Sequence, residues 1–168
     1  GVGVGLGTWV GGMYPWICCR HLAAKDHPIT VITPGADVEE ILRVVTALGP
    51  QFEQVVLLGY PPFLKGVIDT GLTRGVPWPD YRVKLVLAGE VFSEDSRDLM
   101  SERAGMRRPA IDTPALYCTA HARLLGHQTP SCTPTRRFHA PAPDAPQATP
   151  GQPRPPTTAT AAPPRRAP

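Results

Sequence analysis

The chain of 168 residues is long enough for one domain with a core, and it carries 17 Lys and Arg against 14 Asp and Glu, with 22 prolines. Its net charge of +3 is local: residues 1–130 hold twelve basic and thirteen acidic side chains, while residues 131–168 hold Arg136, Arg137, Arg154, Arg165 and Arg166 against Asp144 alone. No basic folded face with interleaved aromatics is left for nucleic acid, and Cys18, Cys19, Cys118 and Cys132 form neither a C-x-x-C nor a disulfide framework, so reduced thiols and a cytoplasmic location are expected.

The first segment, GVGVGLGTWVGG (1–12), has glycine at positions 1, 3, 5, 7, 11 and 12. It meets neither G-x-G-x-x-G nor G-x-x-x-x-G-K-[ST], and no lysine follows before Lys25. Glycine richness alone does not make a phosphate loop. Residues 1–19 are uncharged but lack the basic region of a signal peptide. Six glycines, Thr8 and Pro15 fit a membrane span poorly, so the expected form is a buried glycine-rich strand or loop leading into a helix. A membrane anchor at 1–19 remains the alternative, and carbonate extraction would reveal it.

From Ile29 the chain acquires rhythm. ITVIT (29–33) is a β-branched strand ending at Pro34–Gly35. Asp37 with Glu40 is a capping-box pattern, and Val38, Ile41, Leu42, Val45 and Leu48 follow at helical spacing until Gly49–Pro50. QVVLLG (54–59) is an all-apolar strand, as expected when both faces are covered. A helix over 62–75 follows, weakened by Gly66 and Gly71. YRVKLVLAG (81–89) is a third strand, Ser93 caps a helix reaching about Glu102, and ALYCT (115–119) is a fourth strand.

Strand–helix alternation predicts an α/β fold with a mostly parallel sheet and crossover helices over residues 1–138. Residues 139–168 contain ten prolines and no Ile, Leu, Val, Met, Phe, Trp or Tyr, so they read as a disordered tail. Ligands of open parallel sheets bind outside the strands' carboxyl ends. Gly59–Pro62, Gly89–Ser93 and Tyr117–His121 fall there.

Glu90 stands where a strand meets a helix start. It could accept from an adenine amino group, hold a ribose hydroxyl, or cap backbone N–H groups. Tyr60 and Tyr117 could stack on a flat ring or simply pack. Lys65 and Asp69 have the spacing of a surface ion pair. Cys118, His121, His127 and Cys132 are zinc-ligand types at the spacing of no standard structural module. A Cys118–His121 nucleophile pair has no third group to orient it.

Three segments carry a family likeness: VVLLGYPPFLKGVIDTG (55–71), LVLAGEVFSEDSRDL (85–99) and ALYCTAHARLLGHQTP (115–130). With GVGVGLGTWVGG they resemble adenylate-forming (AMP-binding) enzymes related to phenylacetate–coenzyme A ligase. The resemblance covers about residues 1–138, so the chain is expected to be a fragment of an adenylation domain. It implies ligation of a small carboxylic acid, often aromatic, through an acyl-AMP made from ATP with Mg2+, then transfer to coenzyme A. It places Gly89, Glu90, Val91, Tyr117 and Thr119 at the nucleotide, and Trp9, Gly11, Gly12, Tyr60 and Pro61 at the acyl pocket.

The chain departs from the family pattern Y-G-x-x-[ED], reading Tyr117, Cys118, Thr119, Ala120, His121. Cysteine crowds a position where glycine lets the nucleotide approach. His121 takes the place of the acid at the Mg2+ site, and a hard cation prefers oxygen. Arg123 stands where a small residue is expected, and Gln128 where Glu is. The Pro–Ala–Thr–Arg repetition that follows has the look of a shifted reading frame. The resemblance further implies that the phosphate loop would precede Gly1 and the catalytic-lysine domain would follow residue 138. The chain as written is therefore expected to be inactive. The alternative is a non-catalytic adaptor whose tail presents PDAP (143–146), PGQP (150–153) and PRPP (153–156) as polyproline II ligands.

Overall fold

The computed structural model describes residues 2–4, 10–119 and 123–139. The proline-rich segment expected to be disordered lies outside them, as do Trp9 and His121. Four parallel strands form the main sheet: β1 (Val2–Val4), β2 (Thr30–Ile32), β3 (Val55–Gly59) and β4 (Lys84–Leu87). Their order is β2-β1-β3-β4, so the chain winds outward in both directions from β1 and β3. Between them run α1 (Val10–Ala23), α2 (Val38–Leu48) and α3 (Pro61–Thr73). The glycine-rich opening thus contributes a central strand and then a helix that contains Pro15.

Local chemistry sets the boundaries. Asp37 caps α2 by accepting from the N–H groups of Glu39 (2.9 Å) and Glu40 (3.2 Å). The reciprocal half of the capping box is not made, because the Glu40 carboxylate pairs with Arg43 at 2.6 and 2.7 Å. Proline in the first turn starts α3, where its missing N–H costs nothing. Ser93 caps α4 (Glu94–Arg103) by accepting from Ser96 N–H at 3.1 Å.

The core is one cluster. Ile41, Leu42 and Val45 of α2, Leu64, Val67 and Ile68 of α3, and Met100 and Ala104 of α4 close over Val55, Leu57, Leu85 and Leu87. Burial alternates along β3, with Val56 and Leu58 only half-buried, so the second sheet face is covered less than the apolar run predicts. Trp78, in a 3-10 turn before β4, is wholly buried and donates its indole N–H to Ile68 O at 3.1 Å.

The fourth strand read from the sequence exists but pairs elsewhere. β5 (Leu116–Thr119) joins β6 (Arg123–His127) in an antiparallel ribbon. Its link to the main sheet is one parallel bridge, Ala115 to Leu87, and a bond from Leu87 N–H to Pro114 O at 3.0 Å. Only four residues, Pro109–Asp112 (α5), are helical between Arg103 and β5. The place beside β3 that a fourth parallel strand could have filled belongs to β1. A final helix, α6 (Cys132–His139), docks on α4 through Arg136 and Arg137.

Candidate functional site

The order of the strands reverses between β1 and β3, and crevices at such switch points bind ligands outside the carboxyl ends. At that edge β3 ends in Gly59 and β4 in Leu87. Ala88 N–H donates to Gly59 O at 3.0 Å, which holds the two exits together. Gly89 then turns at φ +94°, a left-handed conformation that favours glycine. A β-carbon there would lie 3.5 Å from Tyr60 Cβ, so Gly89 and Tyr60 are direct neighbours.

Tyr60 is half-exposed, and its ring stacks on Phe63 with centroids 5.8 Å apart. Glu90 is exposed and has no hydrogen bond or ion pair among the described residues. The capping role weighed for it belongs to Ser93 instead. Val91 is 96% exposed, an unusual position for a branched apolar side chain beside a cleft. That cleft, about 320 Å3, is lined by Pro61, Pro62, Lys65, Val91, Phe92 and Ser93, among others.

The next residue is held hard. The guanidiniums of Arg97 and Arg136 lie 4.8 and 5.2 Å from the Phe92 ring centroid, and Arg136 donates to Phe92 O at 2.5 Å. Arg97 is fully buried; it donates to Thr113 O, to Thr113 Oγ1 at 2.6 Å, to Gln128 Oε1 at 2.7 Å and to Glu94 at 3.0 Å. Burial lowers its ordinarily very high pKa, against the opposing pull of Glu94. Arg97 therefore ties α4 both to the chain entering β5 and to the chain leaving β6. Sequence reasoning missed Arg97, Phe92 and Arg136. No local sequence signal marked Arg97, because its partners Thr113 and Gln128 lie sixteen and thirty-one residues away.

Pro61 is buried at the start of α3, whereas Gly11 and Gly12 lie within α1. Tyr117 and Thr119 are exposed on β5, in the second sheet. Because the Ala115–Leu87 bridge is parallel, β5 runs past the edge in the same direction as Gly89. Lys65 and Asp69 do pair, at 2.7 Å, and Arg103 joins them on Asp69. No group of three His, Cys, Asp or Glu placed to hold a metal occurs among the described residues. No helix among them is long and apolar enough to cross a membrane.

No protein-family model matches the sequence, and no curated protein is similar to it. Solved structures do match in fold. An open conformation of 2-hydroxyisobutyryl-CoA ligase, in complex with 2-HIB-AMP and CoA, matches 71% of this chain with a TM-score of 0.52 and 14% identity. The same ligase in its postadenylation state with R3-HIB-AMP gives 0.50 and 12% over 71%. In its thioesterification state with 2-HIB-AMP and CoA it gives 0.50 and 14% over 72%. The matched region is 24–25% of each ligase, so the chain spans about a quarter of their length. The likeness is one of fold: a small parallel α/β sheet like part of a CoA ligase's adenylation domain.

Proposed function

We propose that this chain is the nucleotide-recognising part of an adenylate-forming ligase domain of the phenylacetate–coenzyme A ligase-like kind. The observation that carries it is the edge where Gly89 abuts Tyr60 and the next side chain, the carboxylate of Glu90, has no partner among the described residues. An adenine amino group lacks only an acceptor, and Glu90 supplies one. The Gly89 backbone lets a flat base approach without a Cβ in the way. On this reading Tyr117 of β5 stacks its ring on the base, and Thr119 and Val91 are the further nucleotide-binding residues. Tyr60 and Pro61, with Trp9, Gly11 and Gly12, border the acyl group of a small carboxylic acid.

A complete domain of this kind joins the acid to AMP from ATP, releasing pyrophosphate, and then passes the acyl group to coenzyme A. Mg2+ does not fit the residues present here. Histidine stands at 121 where an oxygen ligand is needed, and no clustered carboxylates replace it among the described residues. The proposal is therefore nucleotide binding rather than turnover. Calorimetric titration of the folded chain with AMP, ATP and GTP tests it. Adenine nucleotides should bind, GTP should bind far less well, and Glu90→Ala should weaken ATP about tenfold, the usual order for a hydrogen bond to a charged group. Failure of millimolar ATP to bind, or unchanged binding by Glu90→Ala, overturns the proposal.

A further inference from the structure

A second cleft, of about 430 Å3, opens at the other end of the strands. Gln54, just before β3, and Val83 and Lys84, at the start of β4, form part of its wall. Four of its lining residues are cationic: Arg82, Lys84, Arg107 and Arg108. One is acidic. Asp112 is buried and already committed, accepting from the Arg108 N–H at 3.1 Å and lying 3.7 Å from Lys84 Nζ and 4.0 Å from Arg108 Nη2.

The guanidiniums of Arg82 and Arg107 have no hydrogen bond or ion pair among the described residues. Arg82 also adopts φ +46°, a left-handed conformation uncommon for any residue with a Cβ. Its neighbours Tyr81 and Val83 are both buried, which fixes the backbone there. Arg82 closes the 3-10 turn Trp78–Tyr81, an end at which a left-handed residue is common. The facing loop is equally constrained: Gly105 turns at φ +67°, and a Cβ on it would meet Pro79 Cγ at 2.7 Å. Two arginines without a partner among the described residues thus line a space of small-ligand size.

We propose that this cleft binds a diphosphate group, gripped by Arg82 and Arg107, with Lys84 and Arg108 adding charge. Planar guanidinium forks match phosphate oxygens two at a time. Asp112 alone leaves most of the positive charge of the four cations uncompensated, and a diphosphate brings several negative charges into a cleft with room for it. The diphosphate could be free pyrophosphate or the phosphates of a nucleotide. This site lies at the opposite end of the strands from Glu90 and does not depend on the nucleotide reading above.

The test is titration of the full chain with inorganic pyrophosphate and, separately, with ADP, repeated on Arg82→Gly and on the double variant Arg82→Gly/Arg107→Gln. Glycine relieves the left-handed backbone, so melting temperature should hold or rise while pyrophosphate affinity falls about tenfold per arginine. Tighter binding of ADP than of pyrophosphate, with both lost in the double variant, identifies the nucleotide as the source. Binding of pyrophosphate at least as tight as ADP identifies the free anion. No binding of pyrophosphate or ADP at millimolar concentration, or equal affinity in the double variant, overturns the inference. Loss of ADP binding in Glu90→Ala alone assigns the phosphates to the carboxyl edge and overturns this inference while leaving the nucleotide reading intact.

Discussion

Gly71 lies so close to Trp78 that a β-carbon on it would sit 2.4 Å from the indole Cζ2. The indole cannot retreat, because it is wholly buried and its N–H is bonded to Ile68 O. Gly66, five residues earlier in α3, has nothing within 4 Å of a β-carbon built on it. Alanine in a helix interior gains roughly 1 kcal/mol over glycine. That gain should appear at Gly66→Ala, raising stability by about 0.5–1 kcal/mol. At Gly71→Ala overpacking, worth about 1–3 kcal/mol, should outweigh it. Urea denaturation of the two variants checks the opposite signs.

Asp69 joins α3 to α4 by accepting from Lys65 and from Arg103. Burial raises its pKa, but the two cations outweigh burial and hold the carboxyl below its ordinary range. A depressed carboxylate stabilises the fold above the unfolded value, near pH 4, and the contribution is lost as pH falls through the folded value. Asp69→Asn should therefore lower the melting temperature at pH 7 and flatten its decline below about pH 4. The pair is a third exposed, so a loss of about 1 kcal/mol is expected. Melting curves from pH 7 to pH 3 on both proteins measure it.

Arg97 is the residue whose loss should cost most. Removing it leaves Thr113 O and Gln128 Oε1 without their donor and strips Glu94, only 10% exposed, of one of its cations. Breaking a buried pair by removing one partner typically costs about 3–5 kcal/mol. Arg97→Met should destabilise the fold by that order. It should also free Phe92, seen as increased amide hydrogen exchange around residues 89–93. Arg97→Lys should not rescue it, because an ammonium cannot serve four acceptors in a fork geometry.

Two thiols should differ in reactivity. Hydrogen bonds from Thr129 Oγ1 and N–H, with help from Arg136, lower the pKa of Cys132. Burial, and then Cys18, raise that of Cys19. The thiolate is the reactive form, so iodoacetamide at pH 7.5 should label Cys132 before Cys19. Thr129→Val should slow labelling of Cys132, and peptide mapping over time reads both effects.

Much of this fold was legible because its elements are locally consistent. Asp37, Ser93 and the Pro61–Pro62 start each mark a helix, and the apolar runs at 55–59 and 84–87 mark strands. Pairing was less legible. ALYCT has strand composition, but nothing in five residues says whether its partner is β4 or the hairpin strand β6; register and direction are settled by distant chain. Burial on β3 misled for the same reason, since an all-apolar run does not report which face is covered. At the site, Gly89, Glu90 and Tyr60 were visible as strand-end residues. The Arg97 network was not, because a buried arginine looks like any surface arginine until its partners, sixteen and thirty-one residues away, fold against it.

The central claim is that an adenine nucleotide seats at the carboxyl edge of β3 and β4. The most direct measurement is a titration of the isotopically labelled chain with AMP, followed by amide chemical shifts. The account predicts saturable shifts concentrated on Gly59, Tyr60, Gly89, Glu90, Val91 and Tyr117, and their loss in Glu90→Ala. Shifts confined to other parts of the chain, or none at millimolar AMP, would contradict it.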